Sequence, residues 1–449
     1  MRESCNLEQL KELVQEKQFR PLKEELTWMN EVDIAAFLDE LEDDQQAIVF
    51  RILPKEKAAD VFTYLEDSED QAKLIGALSD KELREVMDEM YLDDAVDIIE
   101  DMPANVVSRI LRNTGSSTRD QINQLLNYPK DSAGSIMTTE FISLHPSATV
   151  EESFARIRRE GLDKETVYTC YVTENRMLRG VVSVRRLLLS SYETRIADIM
   201  ETHVISVRTG EDREEVAQLF GKYDLSALPV VDGEDRIVGI ITFDDVMDVI
   251  EEEATEDIEK MAAILPSDRP YMQTSVFQLW RNRIPWLLLL MVSATFTGTI
   301  ISSFESALAS YAALTMFIPM LMDTGGNSGG QASVTVIRAL SLGELRLRDL
   351  PRVWWKELRV AVLCAATLSA AVFLKAVTLD RQDWLVAVVV SVTVFLTVCI
   401  AKLVGCTLPM LAKRLGFDPA VMASPFITTV VDALSLLVYF AVARQLLGI

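Results

Sequence analysis

The pattern of apolar and polar positions changes character twice along the 449 residues. From about residue 30 to 110, apolar side chains recur at three- and four-residue intervals in short helical runs. EVDIAAFLDEL, KEKAADVFTYL and DKELREVMDEM align at a period near 24, with Leu41, Leu65 and Met90 in equivalent places. A second helical run follows each, as in EDDQQAIVFRIL. Helix pairs repeated in this way predict a small α-solenoid or superhelix, or else a bundle whose runs share only binary patterning. From about 132 to 257, strand and helix periods alternate in two copies. Each copy predicts a short strand, an amphipathic helix, a strand, a turn (Glu174-Asn175 or Asp232-Gly233), a second strand and a helix. Beyond these, five apolar segments, approximately 284–304, 308–338, 358–379, 384–411 and 420–446, are mostly long enough to cross a bilayer.

Charge follows the same division. Residues 1–270 hold 30 Lys+Arg against 59 Asp+Glu, and residues 271–449 hold 14 against 9. A very acidic soluble front argues against nucleic acid, whose phosphates need basic partners. It suits hard divalent cations, which prefer carboxylate oxygen. The five cysteines, Cys5, Cys170, Cys364, Cys399 and Cys406, form no CxxC pair and read as reduced and structural. His145 and His203 stand far apart, so a His-based transition-metal site is not expected. The polar, helical N-terminus MRESCNLEQLKELVQEK is not a signal peptide in pattern. Basic residues cluster before the first span (Arg281, Arg283), between the second and third (Arg338, Arg346, Arg348, Arg352, Lys356, Arg359) and between the fourth and fifth (Lys413, Arg414). That places the N-terminus in the cytoplasm and the C-terminus outside.

Three stretches carry candidate chemistry. Asp432 lies inside the last apolar segment, where a carboxylate is costly and therefore points to a functional site or to a buried pair with a neighbouring helix. Ser424, Thr428 and Asp432 are four apart and form one polar stripe on a helix, with Pro425 loosening its mouth. The run PMLMDTGGNSGGQ (319–331) interrupts the second span with glycines. Such a break exposes carbonyls to a cavity, or the glycines let helices pack closely. The run DDVMDVIEEEATEDIEK (244–260) places Asp245, Asp248, Glu252, Glu256 and Glu259 on one helix face, a solvated face or one that cations neutralise.

The order of elements in 132–257, with SIMTTEFISL, DIMETHVISV, LPVVD and GIITFDDV, resembles a tandem pair of CBS domains, which implies clefts able to hold an adenine nucleotide. Helical repeats, CBS pair, acidic connecting helix, and spans with GGNSGGQ and DPAVMASPFITTVVD together resemble the MgtE family of bacterial magnesium channels over nearly the whole chain. The expected fold is multi-domain: an α-helical superhelical N-terminal domain (1–130), an α+β tandem CBS pair (131–250, copies about 132–195 and 196–250), an acidic connecting helix (251–273) and a five-span all-α membrane domain (274–449).

The resemblance implies a homodimer in the bacterial inner membrane, with a pore built mainly from the second and fifth spans. Hydrated Mg²⁺ would be held there by Asp432 of both chains, and an acidic cytoplasmic half would sense Mg²⁺ and close the pore. Mg²⁺ dehydrates reluctantly, so its path should offer oxygen acceptors to the ion's waters. Ser424, Thr428 and Asp432, with Asn327 opposite, fit that need; the family often has Asn or Gly where Ser424 stands. The family's bridging positions match Asp94, Asp97, Glu214, Asp224, Asp245, Asp248, Glu253, Glu256, Asp257 and, at the pore mouth, Asp418. Thr242 and Asp245 form the T-x-x-D pattern by which CBS modules hold phosphate and ribose, and Tyr168, Arg185 and Pro229 could frame an ATP there. The first copy, Ser183-Val-Arg-Arg186, has Arg where the ribose acid is expected, so one cleft is the expected site. The alternative is a CBS-regulated transporter of another divalent cation such as Co²⁺ or Mn²⁺; a Zn²⁺ or Mn²⁺ carrier would more often recruit His or Cys. No nucleophile–base pair, HExxH or P-loop suggests an enzyme.

Overall fold

The computed structural model describes residues 7–65, 67–267, 271–272, 274–422 and 424–448; Cys5 and the side chain of Ser424 lie outside what is described. The chain divides into two compact units, Met1–Ile250 and Glu251–Ile449.

The first unit opens with ten short helices, α1 (Leu7–Gln15) to α10 (Ser116–Leu125). The sequence period reappears as geometry. Helices α3 (Glu31–Asp39), α5 (Lys55–Thr63), α7 (Asp80–Glu89) and α9 (Ala104–Asn113) begin about 24 residues apart, and each packs on the next. Helices α4 (Asp43–Phe50) and α6 (Ser68–Ala77) pack in the same way. This is a superhelix of stacked pairs. Short polar residues start the helices: Asn30 accepts from Val32 N, and Ser79 and Glu82 form a reciprocal capping box. Long basic side chains satisfy orphan carbonyls of the preceding repeat. Lys57 Nζ donates to Met29 O (2.5 Å), and Arg109 donates to Ile75 O and Leu78 O (2.5 Å each).

The two copies of the strand–helix repeat follow. In the first, β1 (Phe141–Leu144), α11 (Val150–Glu160), β2 (Thr166–Glu174), β3 (Met177–Ser183) and α12 (Val184–Leu188) build a three-stranded sheet in the order β1-β2-β3. After α13 (Ile196–Ile199), the second repeats it with β4 (Val207–Arg208), α14 (Arg213–Tyr223), β5 (Ala227–Val231) and β6 (Ile237–Thr242). In both sheets a parallel pair is followed by an antiparallel pair. The copies join through their backbones, with Thr138 and Ile240 exchanging two hydrogen bonds of 2.8 Å, and through Tyr171 buried against Ile237 and Ile240. The acidic run forms one helix, α15 (Phe243–Met261).

The second unit contains α16 (Val276–Ser303), α17 (Glu305–Ser310), α18 (Ile318–Ser341), α19 (Leu350–Thr378), α20 (Trp384–Leu415) and α21 (Ser424–Leu447). Among the described residues, four stretches are long and apolar enough to cross a membrane: Val276–Ser303, Leu347–Thr378, Trp384–Leu415 and Pro419–Leu447. Helix α18 is also membrane-long at 24 residues but carries Asp323, Asn327, Gln331 and Arg338. It packs on α20 and α21, and α20 packs on α19. Leu321, Val390, Val394, Leu436 and Phe440 fill the core between them, and Tyr439 donates its hydroxyl to Leu314 O (3.0 Å).

The second span departs from expectation. The helix runs unbroken through Gly325, Gly326, Gly329 and Gly330, and the interruption falls earlier, in a 3₁₀ segment at Ala312–Phe317. Gly325, Gly326 and Gly329 serve packing. A Cβ on Gly325 would lie 2.8 Å from Ser435 Oγ and 2.9 Å from Thr397 Cγ2, and one on Gly329 would lie 3.2 Å from Ala401 O. Missing side chains let neighbouring helices approach, while an intact helix keeps its backbone hydrogen bonds internal, as an apolar medium requires.

Candidate cation path and acidic sites

Helix α21 positions the membrane acid. Asp432 is half-buried, and its Oδ1 is buried with no hydrogen-bond partner. One helical turn earlier, Thr428 lies against α18: a Cβ on Gly326 would sit 2.9 Å from Thr428 Cγ2 and 3.3 Å from its Oγ1. Thr428 and Asp432 therefore occupy the α18-facing part of α21. Asn327 keeps its amide oxygen as an acceptor. It is exposed on α18, and its Nδ2 donates to Asp323 Oδ1 at 3.0 Å.

Asp323 is the residue that sequence reasoning missed. It is the charged group that bears on Asp432. The signal was present: a second carboxylate in an apolar segment, four residues before Asn327, invites the same argument as Asp432. With Asn327, Gln331 and Thr335 it forms an exposed stripe at four-residue spacing along α18. A groove of about 420 Å³ runs there, lined by Asn327, Gly330, Gln331, Val334 and Thr335.

In the first unit the acids gather around α8 (Leu92–Asp101). Burial, then the charge of Asp245, pushes the Asp94 carboxyl up to about 7. Burial, then Asp245 and Asp94, pushes Glu165 up to about 8, and one of its oxygens is buried without a partner. Asp93 is raised well above its ordinary value by burial and then by Asp245. Asp245 itself is raised to about 6 by burial, although Thr242 opposes this through its hydroxyl (2.5 Å) and backbone N–H (3.3 Å), both donating to Asp245 Oδ2. Asp94 and Asp245, both expected as ion-bridging residues, are thus brought together, and Asp93, Glu140 and Glu165 were missed. Glu140 ties this region to α8 by accepting from Leu92 N (3.2 Å). Asp97, Asp224 and Asp248 are exposed, and Glu214 is half-buried.

Of the residues expected at the nucleotide, Thr242 and Asp245 hydrogen-bond to each other. Pro229 is buried on β5, while Tyr168 and Arg185 stand exposed on β2 and α12.

In the second unit the end of α15 meets the residues before α21. Lys260 Nζ lies 2.6 Å from Asp418 Oδ2 and 2.5 Å from Glu256 Oε1. Asp257 accepts from Ser341 Oγ (3.1 Å), and Asp418 Oδ1 accepts from Ala420 N (2.8 Å). Burial raises the Asp257 carboxyl, Ser341 opposes this, and the charge of Asp418 adds to the rise. Glu253 is half-buried one turn before this group. Among the described residues no three His, Cys, Asp or Glu side chains form a ready metal cage. The available donors are all oxygen, the chemistry that Mg²⁺ accepts while keeping its waters.

Comparison with known proteins gives this geometry a family. Residues 318–442 match the MgtE divalent cation transporter family, residues 29–131 its intracellular N domain, and residues 133–193 and 196–252 the CBS domain. The magnesium transporter MgtE of Thermus thermophilus is 41% identical over 98% of both chains. That of Bacillus subtilis is 33% identical over 92% of this chain and 93% of its own. The cytosolic domain of the Mg²⁺ channel MgtE, solved in complex with ATP, superposes with a TM-score of 0.52 at 39% identity, covering 54% of this chain and 100% of that one. The chain belongs to the MgtE family of divalent cation transporters.

Proposed function

We propose that this protein conducts Mg²⁺ across the bacterial inner membrane, down its electrochemical gradient and into the cytoplasm, along a path lined by α18 and α21. The observation that carries this reading is the Asp432 carboxylate. One oxygen is buried and unpartnered in an apolar helix, with the charge of Asp323 bearing on it. Two such acids are tolerable at membrane depth where a cation visits them. Thr428 and Ser424 extend the acceptor series along α21, and Asn327 orients Asp323. The polar stripe of α18 cannot face lipid, so it faces water or a second copy of the chain; we infer a homodimer with the path between its subunits. The relatives named as magnesium transporters favour Mg²⁺ over Co²⁺ or Mn²⁺ as cargo.

The acids of the first unit and of α15 serve as the Mg²⁺ sensor. Within each group, Asp94, Asp97, Glu214, Asp224, Asp245 and Asp248 in the first unit and Glu253, Glu256, Asp257 and Asp418 in the second, like charges repel without metal, and bound ions favour the closed state, each shifting the population further. The N-terminus and sensor then lie in the cytoplasm and the C-terminus outside, in keeping with the basic loops. ATP is a modulator at the second CBS copy, where the Thr242 hydroxyl donates to the Asp245 carboxylate; the relative solved with ATP supports this.

The deciding experiment is ion flux into liposomes, with Mg²⁺, Co²⁺, Mn²⁺ and Ca²⁺ compared. Asp432→Ala should abolish Mg²⁺ flux in protein that still elutes as the wild type does. Full flux in that variant would refute the path.

A further inference from the structure

The run 244–260 was read for its acids, yet its one cation, Lys260, makes the closest contacts in the region. Its ammonium bridges Glu256, one turn back on α15, and Asp418, which lies 158 residues away in sequence. Met261 seats the same turn against Ile337 and Ala420. The three charged side chains are only about a quarter to a third exposed, at 22%, 33% and 34%. Burial disfavours the charged lysine, but the hydrogen bonds and charges of Asp418 and Glu256 outweigh it, so the ammonium is held above its ordinary range. It is a permanent positive charge near neutral pH.

Both Asp418 oxygens are engaged: Oδ2 by Lys260 and Oδ1 by Ala420 N. Asp257 Oδ2 is engaged by Ser341. A hydrated divalent cation approaching these acids meets a carboxylate set that already holds a cation. The ammonium already holds Oδ2 of Asp418 and Oε1 of Glu256, so a metal reaching these carboxylates competes with it for their charge.

We infer that Lys260 is a tethered counter-cation that holds the end of α15 to the Asp418 turn in the absence of metal, and that a divalent cation must displace it to bind Glu256 and Asp418. The metal half of this inference rests on the sensor reading above. The clamp half does not. Lys260 thereby does two things. It offsets part of the repulsion between Glu256 and Asp418 when the cation concentration is low, and it raises the concentration at which the site fills.

The test is limited proteolysis of the full-length protein in detergent across a Mg²⁺ titration, comparing wild type, Lys260→Gln, Lys260→Arg, Asp418→Asn and the double variant Lys260→Gln/Asp418→Asn. In chelator, Lys260→Gln should be cleaved faster near residues 251–273 than wild type. Lys260→Arg, which keeps the charge, should stay close to wild type. Lys260→Gln should add nothing in the Asp418→Asn background, because the bridge is already broken there. With Mg²⁺, the protection midpoint of Lys260→Gln should move to lower concentration by about three- to tenfold, the scale of one partly exposed charge-assisted pair. A midpoint that is unchanged or moved to higher Mg²⁺ overturns the competition. Equal cleavage of wild type and Lys260→Gln in chelator overturns the clamp. If Mg²⁺ protects neither protein, the sensor reading fails and the competition with it, while the chelator comparison still decides the clamp.

Discussion

The contact between Gly329 and Gly405 gives the most direct physical test of the membrane unit. A Cβ placed on Gly405 of α20 would lie 2.2 Å from Gly329 O, 2.9 Å from Gly329 C and 3.1 Å from Gly329 Cα on α18. All three atoms are backbone, so no side-chain rotation can absorb the added methyl. Ordinary contact begins at 3.4 Å, which leaves a shortfall of about 1.2 Å at the carbonyl oxygen. The helices cannot simply slide, because Gly329 is itself closed against Ala401 O on the same partner. Overpacking of this kind costs about 1–3 kcal/mol. Ala gains up to about 1 kcal/mol over Gly in helix propensity. The backbone character of the clash puts Gly405→Ala toward the upper end, a net loss of about 2 kcal/mol, or about 4–8 °C in melting temperature for a unit of this size. Gly298 on α16 is the matched control, since a Cβ there meets nothing within 4 Å. Gly298→Ala should melt with the wild type or slightly above it. The assay is tryptophan-monitored melting in detergent, followed by liposome flux. Because α18 carries Asp323 and Asn327, parting it from α20 should lower flux as well as stability. A Gly405→Ala protein that melts at or above the wild-type temperature would refute the close α18–α20 approach.

Two further outcomes follow from the acids. Asp323→Asn should leave the melting temperature within a few degrees of wild type while lowering Mg²⁺ flux on the order of tenfold, as expected where one nearby charge contributes a kcal/mol or two to holding the ion; unchanged flux would remove Asp323 from the path. Asp94, Glu165 and Asp245 have carboxyls raised to about 7, 8 and 6 in the folded first unit, against roughly 4 when unfolded. Their neutral forms favour the fold, so the stability they contribute is complete below about pH 4 and falls steadily from there until the last of them ionises near pH 8. Hydrogen-exchange protection of α8 in chelator, corrected for intrinsic rates, should therefore fall between pH 6 and 8 by roughly 2 kcal/mol, and millimolar Mg²⁺ should blunt the fall by supplying positive charge where protons leave. Protection that rises with pH in chelator would show that the cluster is not buried as described.

What the sequence made legible was periodic or local. The repeat near 24 became helices starting at Glu31, Lys55, Asp80 and Ala104, because each pair must stack on its neighbour to bury one apolar face. The T-x-x-D pattern became a hydrogen bond because Thr242 and Asp245 span a strand end and the first turn of the following helix. Asp432 stood out because a charge in an apolar run needs a reason wherever its neighbours lie.

What escaped was set by partners distant in the chain. The glycines of α18 suggested a broken helix, yet the residue that decides their role, Gly405, lies on another span, and only the three-dimensional contact shows that the missing side chains hold helices together. Glu165 sits before a strand with no motif around it, and it matters because Asp93, Asp94 and Asp245 converge from two other elements. Lys260 was hidden for the opposite reason: it lies within an acidic run whose net charge set the reading, while its second partner, Asp418, is at the far end of the membrane unit. In each case the pattern suggested a type of chemistry, a hard-cation path and acidic control. Its strength depends on which side chain already occupies the acids. An acidic cluster with a lysine inside it is a site with a threshold, because a metal gains only the difference between its own attraction and that of the cation it replaces. That difference, more than the number of carboxylates, should fix the Mg²⁺ concentration at which the connecting helix changes hands from Lys260 to the ion.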